Sequence, residues 1–172
     1  MKYRLLPVLC LCLVLTGCSL FGSSSSGVSA PAQPGKREQV MEFLDAGRAK
    51  AALVVADELV RDEPDDYQNW LTRNAVRVVL RDYEGAQADN AKALEVFEAT
   101  RNRFPQAQRN YRLAKIEESM ALTALIASRR AESADKRLEL EKAFELHAAK
   151  VKELDEELWN GLRVLSGKPG DK

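Results

Sequence analysis

Apolar residues recur at helical spacing along most of the chain, from residue 37 to about residue 166. They return every three or four positions, which places them on one face of an α-helix. Ala, Leu, Glu, Lys and Arg, which favour helices, dominate this stretch, and aromatic residues make up only 6% of the chain. The pattern therefore predicts an all-α fold, and the length is that of one domain.

Two long helices are predicted in the C-terminal part, and they are expected to pair as an antiparallel helical hairpin over 105–166. The first covers 106–130, with apolar positions at Leu113, Ile116, Met120, Ala124 and Ala127. The second covers 134–165 and begins after Ser133, a suitable N-cap. Its apolar stripe follows a heptad and consists of Leu140, Phe144, His147, Val151, Leu154, Leu158 and Leu165.

This heptad stripe has two candidate partners. The preceding helix is favoured, because elements adjacent in sequence are usually adjacent in space. The alternative is a second copy of the chain, which would make a homo-oligomeric coiled coil. Gly167 and Pro169 end the helix, and residues 167–172 are predicted to form a disordered tail.

The first 17 residues have the pattern of a secretion signal. Lys2 and Arg4 supply positive charge, and an apolar run of eleven residues follows from Leu5 to Leu15. A membrane-spanning helix needs about 20 apolar residues, so this run is too short to span. Residues 1–17 are therefore predicted to be a cleaved signal peptide.

The segment Leu15-Thr16-Gly17-Cys18 resembles the lipobox of bacterial lipoproteins. The resemblance implies that Cys18 is acylated and becomes the first mature residue, anchored in the lipid bilayer. Ser19, rather than Asp, then implies export to the outer membrane with the domain facing the periplasm, or the cell membrane if the host is not Gram-negative. The alternative is an ordinary secretion signal that happens to contain Cys.

Composition after this cleavage site excludes several classes of function. Residues 18–36 are rich in Ser, Gly and Pro and are predicted to form a flexible tether behind the acylated Cys18. The mature chain would carry 24 basic and 26 acidic residues, which gives no electrostatic drive toward nucleic acid. Cys10 and Cys12 leave with the signal peptide, so no disulfide is expected.

An internal similarity at an offset of 34 residues aligns Ala52 with Ala86 and Val60 with Leu94. Together with Trp70 and the segment 82–95, this period resembles the tetratricopeptide repeat, which implies about two helical hairpins over 37–104. The sequence departs from the repeat pattern at Arg73, Asn74, Arg77 and Glu98. Any Ala-rich pair of helical hairpins is the alternative explanation.

The resemblance implies a groove for a partner protein along the first helix of each repeat. The positions that would line it are Met41, Leu44, Gln68, Leu71, Ala75 and Val78. The C-terminal helices could instead cover the groove. Trp159 and Leu162, off the heptad stripe, form a second candidate contact patch.

Candidate catalytic or metal-ligating residues are few. His147 is the single His, and with no second ligand it is interpreted as a partly buried structural residue. Glu118-Ser119 resembles the acid–serine pair of lysozyme-like transglycosylases, but the glycine-rich stretch of that family is missing. No catalytic residue, metal, cofactor or small-molecule substrate is therefore predicted.

These observations predict a membrane-anchored lipoprotein that acts as a non-enzymatic adaptor or assembly factor in the bacterial envelope, of the secretin-pilotin or outer-membrane-complex accessory type. Its partners would be the lipid bilayer, through Cys18, and an envelope protein that the sequence does not identify. The alternative is a structural lipoprotein that self-associates as a coiled coil.

Overall fold

The computed structural model of the protein describes residues 35–167, which form seven α-helices and no β-strand. The all-α prediction is confirmed. The helices are α1 (Lys36–Asp45), α2 (Ala49–Asp62), α3 (Tyr67–Leu80), α4 (Tyr83–Thr100), α5 (Gln106–Ser128), α6 (Ala134–Leu154) and α7 (Glu156–Ser166). The predicted signal peptide, the lipobox with Cys18, most of the tether and residues 168–172 lie outside the described part.

The first six helices pair into three antiparallel hairpins. In the α1–α2 hairpin, Lys36 at the start of α1 reaches Asp62 at the end of α2, with an Nζ to Oδ2 distance of 2.7 Å. In the α3–α4 hairpin, Arg77 near the end of α3 donates to the carbonyl of Gly85 near the start of α4. The α5–α6 hairpin stacks α5 against α4, so it continues the series as a third unit.

The prediction of one helix over 134–165 is wrong, because the chain bends at Asp155. This residue has an extended backbone (φ −157°, ψ 107°) and ends α6. Its carboxylate accepts a hydrogen bond from the backbone N–H of Leu158 at 3.0 Å and so caps α7. An N-cap acid satisfies a backbone donor that has no partner inside the helix, which stabilises a new helix start. The bend returns α7 to the α5–α6 hairpin.

Left-handed backbone conformations occur at three of the other helix ends. Gly47, between α1 and α2, has φ +69°, and Gly167, after α7, has φ +73°. Glycine adopts this region without steric cost because it has no Cβ. Arg81 adopts it as well, with φ +64°, and Asp82 then caps α4 by accepting from Gly85 N–H at 3.0 Å.

The hydrophobic core consists of three clusters, and each cluster combines residues of three successive helices. Ala52 and Ala86, which the 34-residue offset aligns, are both fully buried in the second helix of their hairpins. Small side chains there let the paired helices approach closely. The clusters are Val40, Ala52, Ala56, Leu59 and Val76; Tyr67, Ala93, Val96, Phe97 and Ile116; and Ala121, Ala124, Phe144, Ala148, Val151 and Leu162.

Most of the predicted heptad stripe of α6 is used inside the chain. Phe144 and Val151 are buried in the cluster that α5, α6 and α7 share. Leu165, the last position of the stripe, is 57% exposed because the bend at Asp155 breaks the heptad register. The intramolecular hairpin, rather than a second copy, therefore occupies the stripe.

Candidate functional site

The first helices of the three hairpins, α1, α3 and α5, line a groove on one face of the domain. The groove consists of two adjoining cavities of about 350 Å³ and 740 Å³. Leu71, Ala75 and Lys115 line both cavities, so the two cavities are neighbours along the groove. The smaller cavity lies between α3 and α5, and the larger one reaches α1.

Five of the six groove positions proposed from the sequence lie together on this surface: Met41, Gln68, Leu71, Ala75 and Val78. Leu44 does not line either cavity; it packs against the core of the α1–α2 hairpin. The helices α6 and α7 contribute no described residue to the lining, because they pack on the other side of α5.

The second proposed patch, Trp159 and Leu162, is placed differently. Leu162 has no exposed surface and belongs to the core cluster of α5, α6 and α7, so it offers nothing to a partner. Trp159 is half-buried against the same cluster, and the Nζ of Lys152 lies 5.8 Å from its ring centroid. The bend at Asp155 is responsible, because it turns the Leu162 face of α7 inward.

Sequence reasoning missed the α5 wall of the groove, because it treated residues 106–130 only as half of a separate hairpin. This wall is a second stripe along α5 at intervals of three and four residues. It consists of Tyr111, Lys115, Glu118, Leu122 and Ile126. The stripe is visible in the sequence beside the core stripe Leu113, Ile116 and Met120, and two stripes on one helix indicate two contact faces.

A buried polar network forms the floor of the smaller cavity. Asn74 on α3 donates to the carbonyl of Ala86 at 2.8 Å and to the hydroxyl of Thr123 at 3.2 Å. Asn90 on α4 donates to the same hydroxyl at 3.1 Å, and Ser119 lies within reach of both carboxamide oxygens. These hydrogen bonds join α3, α4 and α5 at one level, because buried polar groups must find partners.

This network retains spare acceptor capacity on the groove side. Ser119 has one hydroxyl proton, while the Oδ1 atoms of Asn90 and Asn74 lie 2.8 Å and 3.1 Å from its Oγ. One proton cannot serve both oxygens at once. Because Asn74 and Ser119 line the cavity, an N–H or O–H group of a bound segment finds an acceptor there.

A buried ion-pair network holds α3 against α2 and α4. The carboxylate of Asp89 is almost fully buried and accepts from Arg73 Nη2 at 2.6 Å and Arg73 Nε at 3.0 Å. Arg77 Nη1 lies 3.2 Å from Asp89 Oδ2, the oxygen that also accepts from Arg73 Nε, and Asp57 on α2 contacts Arg73 at 3.1 Å. The hydrogen bond to Asp89 is the main reason that the pKa of Arg73 is raised. Arg73 and Arg77 both contact Asp89, and both stand at positions where the sequence departs from the repeat pattern.

His147 is partly buried, as the sequence indicated, and belongs to a polar cluster. Its Nδ1 lies 2.6 Å from Oε2 of buried Glu117, and Nζ of Lys150 lies 3.0 Å from Oε1. Burial by itself raises the pKa of Glu117, but the hydrogen bonds to His147 and Lys150 outweigh it, so the pKa lies below its usual value. The cluster joins the middle of α5 to α6.

Glu117→Gln is expected to lower the free energy of unfolding by about 1–2 kcal/mol at pH 7, because it removes a buried charged acceptor. The folded-state pKa of Glu117 lies below that of the unfolded chain, so the carboxylate stabilises the fold above the unfolded-state pKa. That stabilisation is lost as the pH falls through the folded-state pKa. Urea unfolding at pH 7 and pH 4 should show the difference between wild type and variant shrinking on acidification.

The matched control is Glu139→Gln, which removes an exposed i,i+3 partner of Lys136 and should change stability little at either pH. A Glu117→Gln difference that stayed constant from pH 7 to pH 4 would contradict the assigned pKa direction.

Two further properties concern metals and membranes. Within residues 35–167, no three His, Cys, Asp or Glu side chains are grouped so that they could hold a metal ion. No helix of this same part is long and apolar enough to cross a bilayer.

Comparisons with protein-family models, with curated proteins and with solved structures found no match for this chain.

Proposed function

We propose that the protein is a lipid-anchored adaptor of the bacterial envelope that binds a segment of a partner protein in the groove between α1, α3 and α5. The observation that carries this proposal is the groove itself, with apolar lining from Leu71, Val78, Leu122 and Ile126. Large unfilled apolar concavities on small domains usually bind something. The helices that follow the groove in sequence pack elsewhere and leave it accessible.

The membrane anchor of this adaptor would be Cys18, acylated at the lipobox-like segment and followed by the Ser-, Gly- and Pro-rich tether. Single acyl chains bind membranes only marginally, while two or three hold a protein firmly, as in bacterial lipoproteins. With Ser19 after the Cys, the outer membrane is the proposed location and the periplasm the proposed compartment of the domain. Pilotin-like support of a secretin, or an accessory role in an outer-membrane complex, fits such an anchored, non-enzymatic module.

The hairpin series also supports the proposed tetratricopeptide-like organisation. The aligned alanines Ala52 and Ala86 occupy equivalent buried positions, and the first helices of successive hairpins share the groove. In this interpretation α5 and α6 act as a third, longer unit.

Ala75→Glu tests the groove with little effect on the fold, because Ala75 lies on an exposed part of α3 and lines both cavities. Membrane-embedded wild type should crosslink to a specific envelope protein, and the charge should abolish that product by placing a carboxylate among apolar groups. The readout is crosslinking followed by mass spectrometry.

Ala88→Glu is the matched control, since Ala88 is also exposed, lies on α4 and lines neither groove cavity. Its melting and its crosslinked product should equal those of wild type. A crosslinked partner that survives Ala75→Glu would move the binding site away from the groove and refute the proposal.

The runner-up is a structural lipoprotein that self-associates. It is less favoured because Phe144 and Val151 of the heptad stripe are buried in the cluster that α5, α6 and α7 share, so these positions are not available to a second copy. Sedimentation of the protein over a wide concentration range separates the two functions. A stable homo-oligomer would favour the structural alternative.

A further inference from the structure

We infer that the groove binds a segment of another protein that combines an acidic side chain at one end with aliphatic residues along the rest, with the carboxylate bound by Arg112. This inference rests on the proposed groove function and specifies the chemistry of its occupant. Its basis is the distribution of charge and apolar surface along the groove.

Arg112 is held in position at the α1 end of the groove by aromatic groups. Its guanidinium carbon lies 4.2 Å from the ring centroid of Phe104 and 6.0 Å from that of Tyr67. Its Nη1 donates to the Tyr67 hydroxyl at 3.0 Å. Stacking and this hydrogen bond fix the planar guanidinium, so little rotamer entropy remains to be lost when a carboxylate binds in bidentate geometry.

Among the basic side chains of the larger cavity, Arg112 is the one that forms no ion pair within the described residues, although Asp65 and Asp66 line a neighbouring cavity with it. Three basic side chains line this cavity, and no acidic side chain does. Arg37 is paired with Asp66, and Lys115 is paired with Glu118. The Arg112 guanidinium donates its hydrogen bond to the hydroxyl of Tyr67 instead. A partner carboxylate here would form the charged hydrogen bonds that the fold itself leaves unmade.

The apolar part of the groove runs away from Arg112 along α3 and α5. Leu122 and Ile126 on one wall and Leu71 and Val78 on the other line the smaller cavity. Arg112 and Ile126 are 14 residues apart on α5, which is about 21 Å at 1.5 Å per residue. An occupant therefore places its carboxylate at one end and aliphatic side chains over the following ~20 Å, with the acceptors of Ser119 and Asn74 between them.

The chain's own terminal segments do not match this chemistry. Residues 1–34 contain no Asp or Glu, so they offer no side-chain carboxylate to Arg112. Residues 168–172 read Lys-Pro-Gly-Asp-Lys and contain an acid but no aliphatic side chain. Charge and apolar character together therefore favour a segment of another protein over residues 1–34 and 168–172.

The test uses the membrane-extracted protein in lipid nanodiscs and a phage library of random 12-residue peptides, each displayed within a loop so that no free C-terminus is present. Peptides selected on wild type should combine Asp or Glu with Leu, Ile or Val. For a synthetic, C-terminally amidated peptide from this set, Arg112→Gln should weaken binding about tenfold in fluorescence anisotropy. Replacing the peptide's acid by its amide should weaken binding to wild type by a similar factor.

The double-mutant combination gives the decisive result. The amide peptide should bind wild type and Arg112→Gln with equal affinity. The reason is that the peptide acid and Arg112 stabilise the complex only by contacting each other. Arg163→Gln is the matched control, since it removes the same charge from α7 and lines neither groove cavity. Arg112→Lys keeps the charge without the planar fork and should give an intermediate affinity.

Three outcomes would overturn the inference. In the first, the selected peptides lose binding in Ala75→Glu but keep it in Arg112→Gln and after their acid is replaced by its amide. Such peptides would refute the role of the carboxylate but would be consistent with the adaptor function. A library that yields no peptide sensitive to Ala75→Glu would refute both. A concentration-dependent dimer that Arg112→Gln dissociates would show that the occupant is a second copy of this chain.

Discussion

Asp89→Asn is expected to lower the free energy of unfolding by about 3 kcal/mol, one of the two largest effects that we predict for this chain. The Asp89 carboxylate is 1% exposed and holds the guanidinium groups of Arg73 and Arg77 together. Removing one member of a buried ion pair leaves its partner desolvated, which costs about 3–5 kcal/mol where no other partner remains. Here Arg73 keeps Asp57 and Arg77 keeps Asp82 as exposed partners. The lower end applies because both arginines retain some solvent exposure. Urea unfolding followed by circular dichroism at pH 7 measures the effect.

Asp57→Asn is the matched control for this variant. Asp57 contacts the same Arg73 at 3.1 Å, but its side chain is 51% exposed. Exposed ion pairs contribute about 0–1 kcal/mol, so this variant should unfold almost like wild type. Equal losses for the two variants would mean that burial of Asp89 does not control the stability of the α3–α4 hairpin.

Leu162→Ala is expected to destabilise the domain by about 3 kcal/mol, although the sequence pattern assigned Leu162 to a surface patch. Its side chain is fully buried between α7 and the α5–α6 hairpin. Truncating a buried Leu removes its transfer free energy and leaves a cavity, which together cost about 2–5 kcal/mol. Thermal and urea unfolding should both move to lower midpoints.

Leu165→Ala provides the comparison within the same helix. Leu165 is 57% exposed, so its truncation should change the free energy of unfolding by no more than about 0.5 kcal/mol. If Leu165→Ala were the more damaging variant, α7 would be rotated relative to the arrangement described above.

The positions of most helices could be predicted from the sequence because periodicity and capping are local properties. The apolar spacing over 106–130 predicted α5 (Gln106–Ser128), and Ser133 caps α6 as expected, accepting from Lys136 N–H at 3.1 Å. The break at Asp155 was missed because the heptad continues through Leu154 and Leu158. The local evidence for the break was Asp155 followed by Glu156 and Glu157, the acidic first turn of a new helix.

The polar interior could not be predicted, because its members are far apart in the sequence. Asn74 and Thr123 are 49 residues apart and meet through a hydrogen bond, as do Glu117 and His147 at a separation of 30. Each of these residues is polar, and in the sequence alone it looks like a residue of a solvent-exposed helix face. Only the packing of helices against one another brings their donors and acceptors within 3.2 Å, where the low dielectric of the interior requires that they pair.

One wall of the groove could be predicted from a single helix, whereas the other wall depends on which helices pack together. Positions on α3 such as Leu71, Ala75 and Val78 share one helix face, and a spacing of three or four residues is sufficient to predict that. The opposite wall is supplied by α5, and Arg112 acquires its fixed guanidinium from Phe104 and Tyr67, residues of two other segments. Helix faces follow from the order of residues along one segment, whereas the wall that a face meets depends on which helices pack together. That choice is made by the burial of apolar surface over the whole domain.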